Sequence, residues 1–223
     1  MDRKPNIALV GVTGVVGTTF LKVLEDRNFP FENLYMMASA KSAGKIIDFK
    51  GKKYEVEELT ENSFDKDIDI ALFSAGGKVS EKFAPIAASK GVIVVDNSSQ
   101  WRMDETVPLV VPEVNPEDIK KNNGIISNPN CSTIQAMVPL KPLHDKYKIK
   151  RIVYSTYQAV SGSGVKGIED LKNGVWCKVG KAKEPRMDGL QGMIRRTHTI
   201  ILLQVTASLK LTYSQKTDIP KRR

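Results

Sequence analysis

The sequence predicts an α/β protein built on a doubly wound parallel sheet. Three observations point there. Short, continuously apolar runs recur along the first 130 residues, amphipathic segments separate them, and a glycine-rich turn directly follows the first run. Strands that are apolar throughout need both sheet faces covered, which is the condition of a parallel sheet with helices on either side.

Asn6-Ile7-Ala8-Leu9-Val10 is the first strand. Phe20, Leu21 and Leu24 then mark the inner side of a helix. Leu34 to Ala38 reads as the second strand, and Ile68 to Ser74 as another, ending in Ala75-Gly76-Gly77. Glu81 to Ser89 is helical, and Val92 to Asp96 is a strand closing on Asn97-Ser98-Ser99. Leu109-Val110-Val111 and Gly124-Ile125-Ile126 follow as short strands. A helix begins near Cys131, and Pro139 and Pro142 predict a bend or stop near residue 138. Ile149 to Gln158 alternates like a half-exposed strand, which predicts a second domain whose sheet has one covered face.

Of the 223 residues, 41% are hydrophobic and 26% charged, so a packed core is expected and overall disorder is not. No run approaches the roughly 18 apolar residues of a membrane span. Met1-Asp2-Arg3-Lys4-Pro5 leads straight into a strand without the shape of a signal peptide. Cys131 and Cys177 do not make a disulfide framework. A cytoplasmic location, with no membrane partner, is the expectation. The net charge of +9 is unevenly placed: residues 178–223 hold 11 Lys+Arg against 3 Asp+Glu, whereas residues 1–177 hold 23 against 22. The body of the chain is nearly neutral, so no nucleic-acid partner is expected.

Gly11, Gly14 and Gly17 follow a strand and open a helix. Glycines there admit close approach of a phosphate, and the helix N-terminus favours negative charge. The spacing is G-x-x-G-x-x-G, and no Gly-Lys-Ser/Thr follows, so a P-loop is not expected. A turn used only for packing is the alternative. After the second strand, Ala38-Ser39-Ala40-Lys41-Ser42-Ala43-Gly44-Lys45 has no acid to hold ribose hydroxyls but two lysines and hydroxyls, which suit a 2′-phosphate. NADP is therefore favoured over NAD, with ordinary solvated lysines as the alternative.

Ser127-Asn128-Pro129-Asn130-Cys131-Ser132-Thr133 places a thiol where a strand hands over to a helix. Asn130 is the expected N-cap, and Cys131 falls in the first turn, where unpaired N–H groups and the helix dipole favour an anion. Those are the conditions that turn a thiol into a nucleophile. A buried cysteine acting as a small apolar residue fits the same position.

Together, Gly11-Val-Thr-Gly-Val-Val-Gly17, Ala38-Ser-Ala-Lys-Ser-Ala-Gly-Lys45, Asp96-Asn-Ser-Ser-Gln-Trp-Arg102-Met103, Val110-Val-Pro-Glu-Val-Asn115, the cysteine block and Thr156-Tyr-Gln-Ala-Val-Ser-Gly162 resemble bacterial-type aspartate-semialdehyde dehydrogenases. The likeness runs from about residue 5 to about residue 173, after which the chain departs from the family pattern.

The resemblance implies a Rossmann-type NADP-binding domain over residues 1–128. It further implies the start of an α+β catalytic/dimerisation domain over 129–175, and leaves an atypical basic tail over 176–223, so that the second domain is truncated. It implies NADPH-dependent reduction of L-aspartyl 4-phosphate to L-aspartate 4-semialdehyde and phosphate in lysine, threonine and methionine synthesis, by a homodimer or larger assembly. Cys131 would form the acyl thioester; Arg102, Asn130 and Gln158 would bind phosphate and substrate. Thr13, Gly14, Val15, Val16, Lys41, Ser42, Ser161 and Gly162 would touch the cofactor, beside Gly11 and Gly17; no metal is expected. Independently of family, an acyl phosphate calls for a soft nucleophile, and a departing phosphate for a fixed, forked cation.

The family's Gly-His-Ser segment, with its acid/base histidine, and the arginine shortly upstream of it are not found here. His144 and His198 lie in other contexts. A shifted reading frame or early stop would explain the tail; a genuine lineage-specific tail is the alternative. A catalytically inactive NADP-binding fragment and an N-acetyl-glutamyl-phosphate reductase-like enzyme are therefore the alternative functions.

Overall fold

A computed structural model of the chain describes residues 3–154 and 160–178, the side chains of 175–178 excepted. The elements run β1 (Ile7–Val10), α1 (Val15–Asp26), β2 (Leu34–Ala38), β3 (Ile46–Phe49), β4 (Lys52–Glu58), β5 (Ile70–Phe73), α2 (Gly77–Ser89), β6 (Ile93–Asp96), β7 (Ile125–Ser127), α3 (Cys131–Tyr147) and α4 (Gly164–Lys178).

The seven strands form one sheet in the order β3-β4-β2-β1-β5-β6-β7, parallel throughout except that β3 pairs antiparallel with β4. Leaving β3 aside, the order is that of a doubly wound nucleotide-binding sheet. Its direction reverses between β1 and β5, whose registers pair Val10 with Met37 on one side and with Phe73 on the other.

β1 shows why its run is apolar at every position. Ala8 and Val10 belong to a core with Phe73, Ala84, Ala87 and Val94, which α2 covers. Ile7 and Leu9 belong to the opposite core with Leu21, Leu24 and Met36, which α1 covers. The N-terminal edge of the sheet is tied by Asn6, only 3% exposed. Its side chain accepts from the Asn33 amide and side chain at 3.2 and 3.0 Å and donates to Asp67 at 2.9 Å.

Four sequence expectations need correction. α3 does not stop near residue 138 but runs to Tyr147 through Pro139 and Pro142. Both prolines are exposed, as are Gln135 and Val138, whose carbonyls they leave without amide partners, so water can take those acceptors. Lys148, at φ 54°, then ends the helix in the left-handed region. Residues 109–111 form no full strand: Leu109 makes a single parallel bridge to Ser127. Residues 149–154 carry no strand, and the rest of that predicted strand, 155–158, lies outside the described residues. α2 begins at Gly77, ahead of Glu81: Gly76, at φ 90°, turns the chain, and its carbonyl accepts the first helical bond from Ser80 N at 3.1 Å.

Candidate active site

The glycine turn sits at the point where the sheet order reverses. Gly11 has φ +88°, and a Cβ there would lie 2.6 Å from the carbonyl oxygen of Ser74 at the end of β5. Its N–H donates to Met37 O at the end of β2, 2.8 Å away. A Cβ on Gly17 would meet Gly11 O at 2.1 Å, so the first turn of α1 rests directly on the loop backbone. Gly14 caps α1 without a side chain, and no side-chain hydrogen bond takes the first amides of that helix. Thr13, Val15 and Val16 are exposed on the same turn, while Gly17 is buried beneath it. Glycine is therefore required at 11 and 17 by close backbone packing within the fold, and the uncapped start of α1 leaves its first N–H groups able to receive an anion.

The second cofactor stretch meets the first. Lys41 and Ser42 lie on the 3₁₀ turn Ala40–Ser42 just after β2, and Thr13 Oγ1 donates to Ser42 Oγ at 3.3 Å. Lys41 is exposed there. The glycine turn and the lysine-hydroxyl turn therefore touch one another at the C-terminal edge of β1 and β2. Ser161 and Gly162 lie on another exposed 3₁₀ turn, Val160–Ser163, packed mainly against α4. Gln158 lies outside the described residues.

Cys131 is exposed at the first position of α3. Asn130 caps that helix as expected, its Oδ1 accepting from Ser132 N at 2.9 Å and Thr133 N at 3.3 Å. Arg102 is brought to the same junction from the loop after β6. Its Nε donates to Asn128 O at 2.9 Å and its Nη2 to Asn97 O at 3.0 Å. Two of the five guanidinium N–H groups are thereby anchored to backbone, and the other three find no partner among the described residues. Asn128 Nδ2 also donates to Asn97 Oδ1 at 2.8 Å. The sequence reading gave neither asparagine a role; an asparagine directly after each of two adjacent strands was the available signal.

The flank is braced by Asn115. Its Oδ1 accepts from Val111 N at 2.9 Å, and its Nδ2 donates to Leu109 O at 3.0 Å and to Asp118 at 2.7 Å. Lys121 and Asn115, both bonded to the Asp118 carboxylate, hold it below the ordinary carboxylate range. A groove of about 400 Å³ lies toward the far end of α3, lined by Met137, Leu140, His144, Ile149 and Ile152. His144 stands thirteen residues along α3 from Cys131, a separation of about 20 Å at the helical rise. No group of three His, Cys, Asp or Glu side chains fit to hold a metal occurs among the described residues. No described helix is long and apolar enough to cross a membrane.

Residues 6–122 match the semialdehyde dehydrogenase NAD binding domain. The chain belongs to the semialdehyde dehydrogenase family. Residues 140–217 match that family's dimerisation domain, which carries the likeness past residue 173, where the motif resemblance stops. The aspartate-semialdehyde dehydrogenase of Aquifex aeolicus is 64% identical over 77% of this chain and 52% of its own length. The solved structure of aspartate semialdehyde dehydrogenase II from Vibrio cholerae, complexed with ASA, superposes with a TM-score of 0.78 at 47% identity, covering 85% of this chain and 57% of that one. The Candida albicans aspartate semialdehyde dehydrogenase with NADP gives a TM-score of 0.64 at 30% identity, over 76% and 55%. The chain thus spans about half the length of the curated relatives it matches.

Proposed function

We propose that the chain carries the cofactor and thioester half of an NADPH-dependent aspartate-semialdehyde dehydrogenase, acting on L-aspartyl 4-phosphate in the cytoplasm. The observation that carries this reading is the meeting of an exposed cysteine at a capped helix start with an arginine anchored to the same turn. The Cys131 sulfur attacks the acyl carbon of the substrate, a sulfur–carbon bond forms, and the carbon–oxygen bond to phosphate breaks. The departing phosphate is received by the unanchored N–H groups of Arg102. NADPH, when bound, would supply hydride to the thioester carbon. The carbonyl then re-forms as the carbon–sulfur bond to Cys131 breaks, which releases the aldehyde and restores the thiolate.

Gly11, Gly14 and Gly17, with Thr13, Val15 and Val16, would hold the dinucleotide phosphates, and Lys41 and Ser42 the 2′-phosphate. The absence of an acid after β2 and the name of the Candida relative both support NADP. Asn130 would orient the acyl phosphate, and Gln158, Ser161 and Gly162 would complete the substrate and nicotinamide side. We set the domain change at 128/129, with 129–175 opening the catalytic/dimerisation domain ahead of the 176–223 tail. The dimerisation-domain match supports assembly as a homodimer.

One observation favours a second reading, an NADP-binding chain without turnover: His144, about 20 Å along the helix from Cys131, is too remote to exchange a proton with it. The reverse assay separates the two. Purified protein is given aspartate semialdehyde, phosphate and NADP⁺, and NADPH absorbance is followed. Turnover that disappears in Cys131→Ala upholds the enzyme. No turnover together with saturable NADP⁺ binding upholds the second reading, and failure to bind NADP⁺ removes both.

A further inference from the structure

We propose that the Asn97–Asn128 side-chain pair is a positioning device that fixes Arg102 relative to Cys131; the proposal rests on the reading of those two residues given above. Asn97 directly follows β6 and Asn128 directly follows β7. Each extends the backbone ladder: Asn97 N donates to Phe73 O at 3.0 Å, and Asn128 N to Asp96 O at 2.8 Å. Three residues after Asn128 comes the thiol, and five residues after Asn97 comes the guanidinium.

The guanidinium bonds the main-chain carbonyls of both asparagines at once. A planar, rigid fork can do so only while those two carbonyls keep a matched spacing. The bridge from Asn128 Nδ2 to Asn97 Oδ1, at 2.8 Å, sets that spacing from the side chains. The rest of the loop is restrained independently. Ser98 Oγ donates to the buried Asp96 carboxylate at 2.5 Å and accepts from Gln100 N at 3.1 Å. Trp101 Nε1 donates to Ser80 Oγ on α2 at 2.8 Å. Those bonds hold the loop to β6 and α2, but not to the turn that carries Cys131. Among the described side chains, Arg102 and the asparagine pair make that link.

The consequence is specific. Removing the bridge leaves Cys131 on its capped helix and Arg102 on its loop, but lets the two drift apart by the fraction of an ångström that oxyanion binding does not tolerate. The intrinsic reactivity of the thiol should stay, and phosphate recognition beside it should weaken.

The test follows iodoacetamide alkylation of Cys131 in the full chain, resolved from Cys177 by peptide mass spectrometry, across a range of inorganic phosphate concentrations. In the unsubstituted protein phosphate should slow the reaction saturably. In Asn128→Ala the phosphate needed for half-protection should rise about tenfold, with the phosphate-free rate changed less than about twofold. Asn97→Ala should match it, and the double variant should be no worse than either single one.

A second readout is spectroscopic. The Arg102 Nε–H cross-peak in ¹⁵N-correlated spectra should lose its protection from solvent exchange in both variants. Half-protection unchanged in the variants, additive losses, or phosphate-free rates that fall in step with protection would each overturn the proposal. An unsubstituted protein that phosphate does not protect would instead overturn the reading of Arg102 itself, before any substitution is made, and the proposal with it. If Asn128→Ala does not fold, Asn97→Ala carries the same test and leaves the turn before Cys131 unaltered.

Discussion

Gly17→Ala tests the nucleotide cradle with a single carbon atom. The added Cβ would lie 2.1 Å from Gly11 O and 2.7 Å from both Cα and C of Val12. Every one of these neighbours is backbone, so no side chain can swing away. To reach an ordinary contact near 3.4 Å, α1 must back off the loop by roughly 1 Å, and overpacking of this kind costs about 1–3 kcal/mol and more where backbone must move. Alanine returns up to about 1 kcal/mol through its better helix propensity. A net loss of about 2 kcal/mol is expected, equivalent to a drop of roughly 4–8 °C in Tm for a chain of this size. The same retreat withdraws the helix N–H groups from the phosphates, so NADP⁺ affinity should fall at least about tenfold, or 1.4 kcal/mol. Differential scanning calorimetry reads the first effect and fluorescence titration with NADP⁺ the second. Gly174→Ala on α4 is the control: none of the described residues lies within 4 Å of its added Cβ, so the variant should gain about 0.5–1 kcal/mol and bind normally. A Gly17→Ala protein that melts within about 1 °C of the parent and binds NADP⁺ equally well would refute the packing account.

Asn130→Ala removes the acceptor for Ser132 N and Thr133 N and should lower stability by about 1 kcal/mol in urea unfolding, while slowing Cys131 alkylation. Asn6→Ala removes the hydrogen bonds that a buried side chain makes to Asn33 and Asp67, both exposed and open to water, and should cost about 1–2 kcal/mol, read as a Tm loss of roughly 2–8 °C. The Asp118 carboxylate, held low by Lys121 and then by Asn115, contributes its stabilisation fully above the ordinary value of 3.8 and loses it as pH falls through the lower folded value. Acid titration followed by NMR should therefore leave the Val111 amide unmoved until below pH 3.8, and Asp118→Asn should abolish that late transition.

Most of the sheet was legible because burial on both faces writes itself into sequence as unbroken apolar runs, as in Ile7–Val10 and Ile93–Asp96. The β3–β4 hairpin was not read because it lies at the sheet edge, where its alternation is diluted by charge: Ile46 is exposed while Phe49 is buried. A signal was nevertheless present. Lys50 and Gly51, at φ 51° and 73°, form a two-residue turn with both residues left-handed, and a glycine between two alternating runs marks such a turn. Pro139 and Pro142 predict a bend or stop of α3, yet the helix continues to Tyr147, because exposure lets water accept what the prolines leave unbonded.

The candidate site divides along the same line. Gly11, Gly17, Asn130 and Cys131 were legible because each is demanded by its own few neighbours: a turn, a close approach, a cap, a helix start. Arg102 was legible only through the block that contains it, since nothing local says which way a loop arginine will reach. Its anchoring by Asn97 O and Asn128 O joins segments 31 residues apart, and the Asn97–Asn128 bridge spans the same separation. Such pairings exist only once β6 and β7 lie side by side in register, Asp96 against Ser127. Local rules therefore recover the groups that could do chemistry, whereas the spacing between nucleophile and cation is a property of the folded sheet.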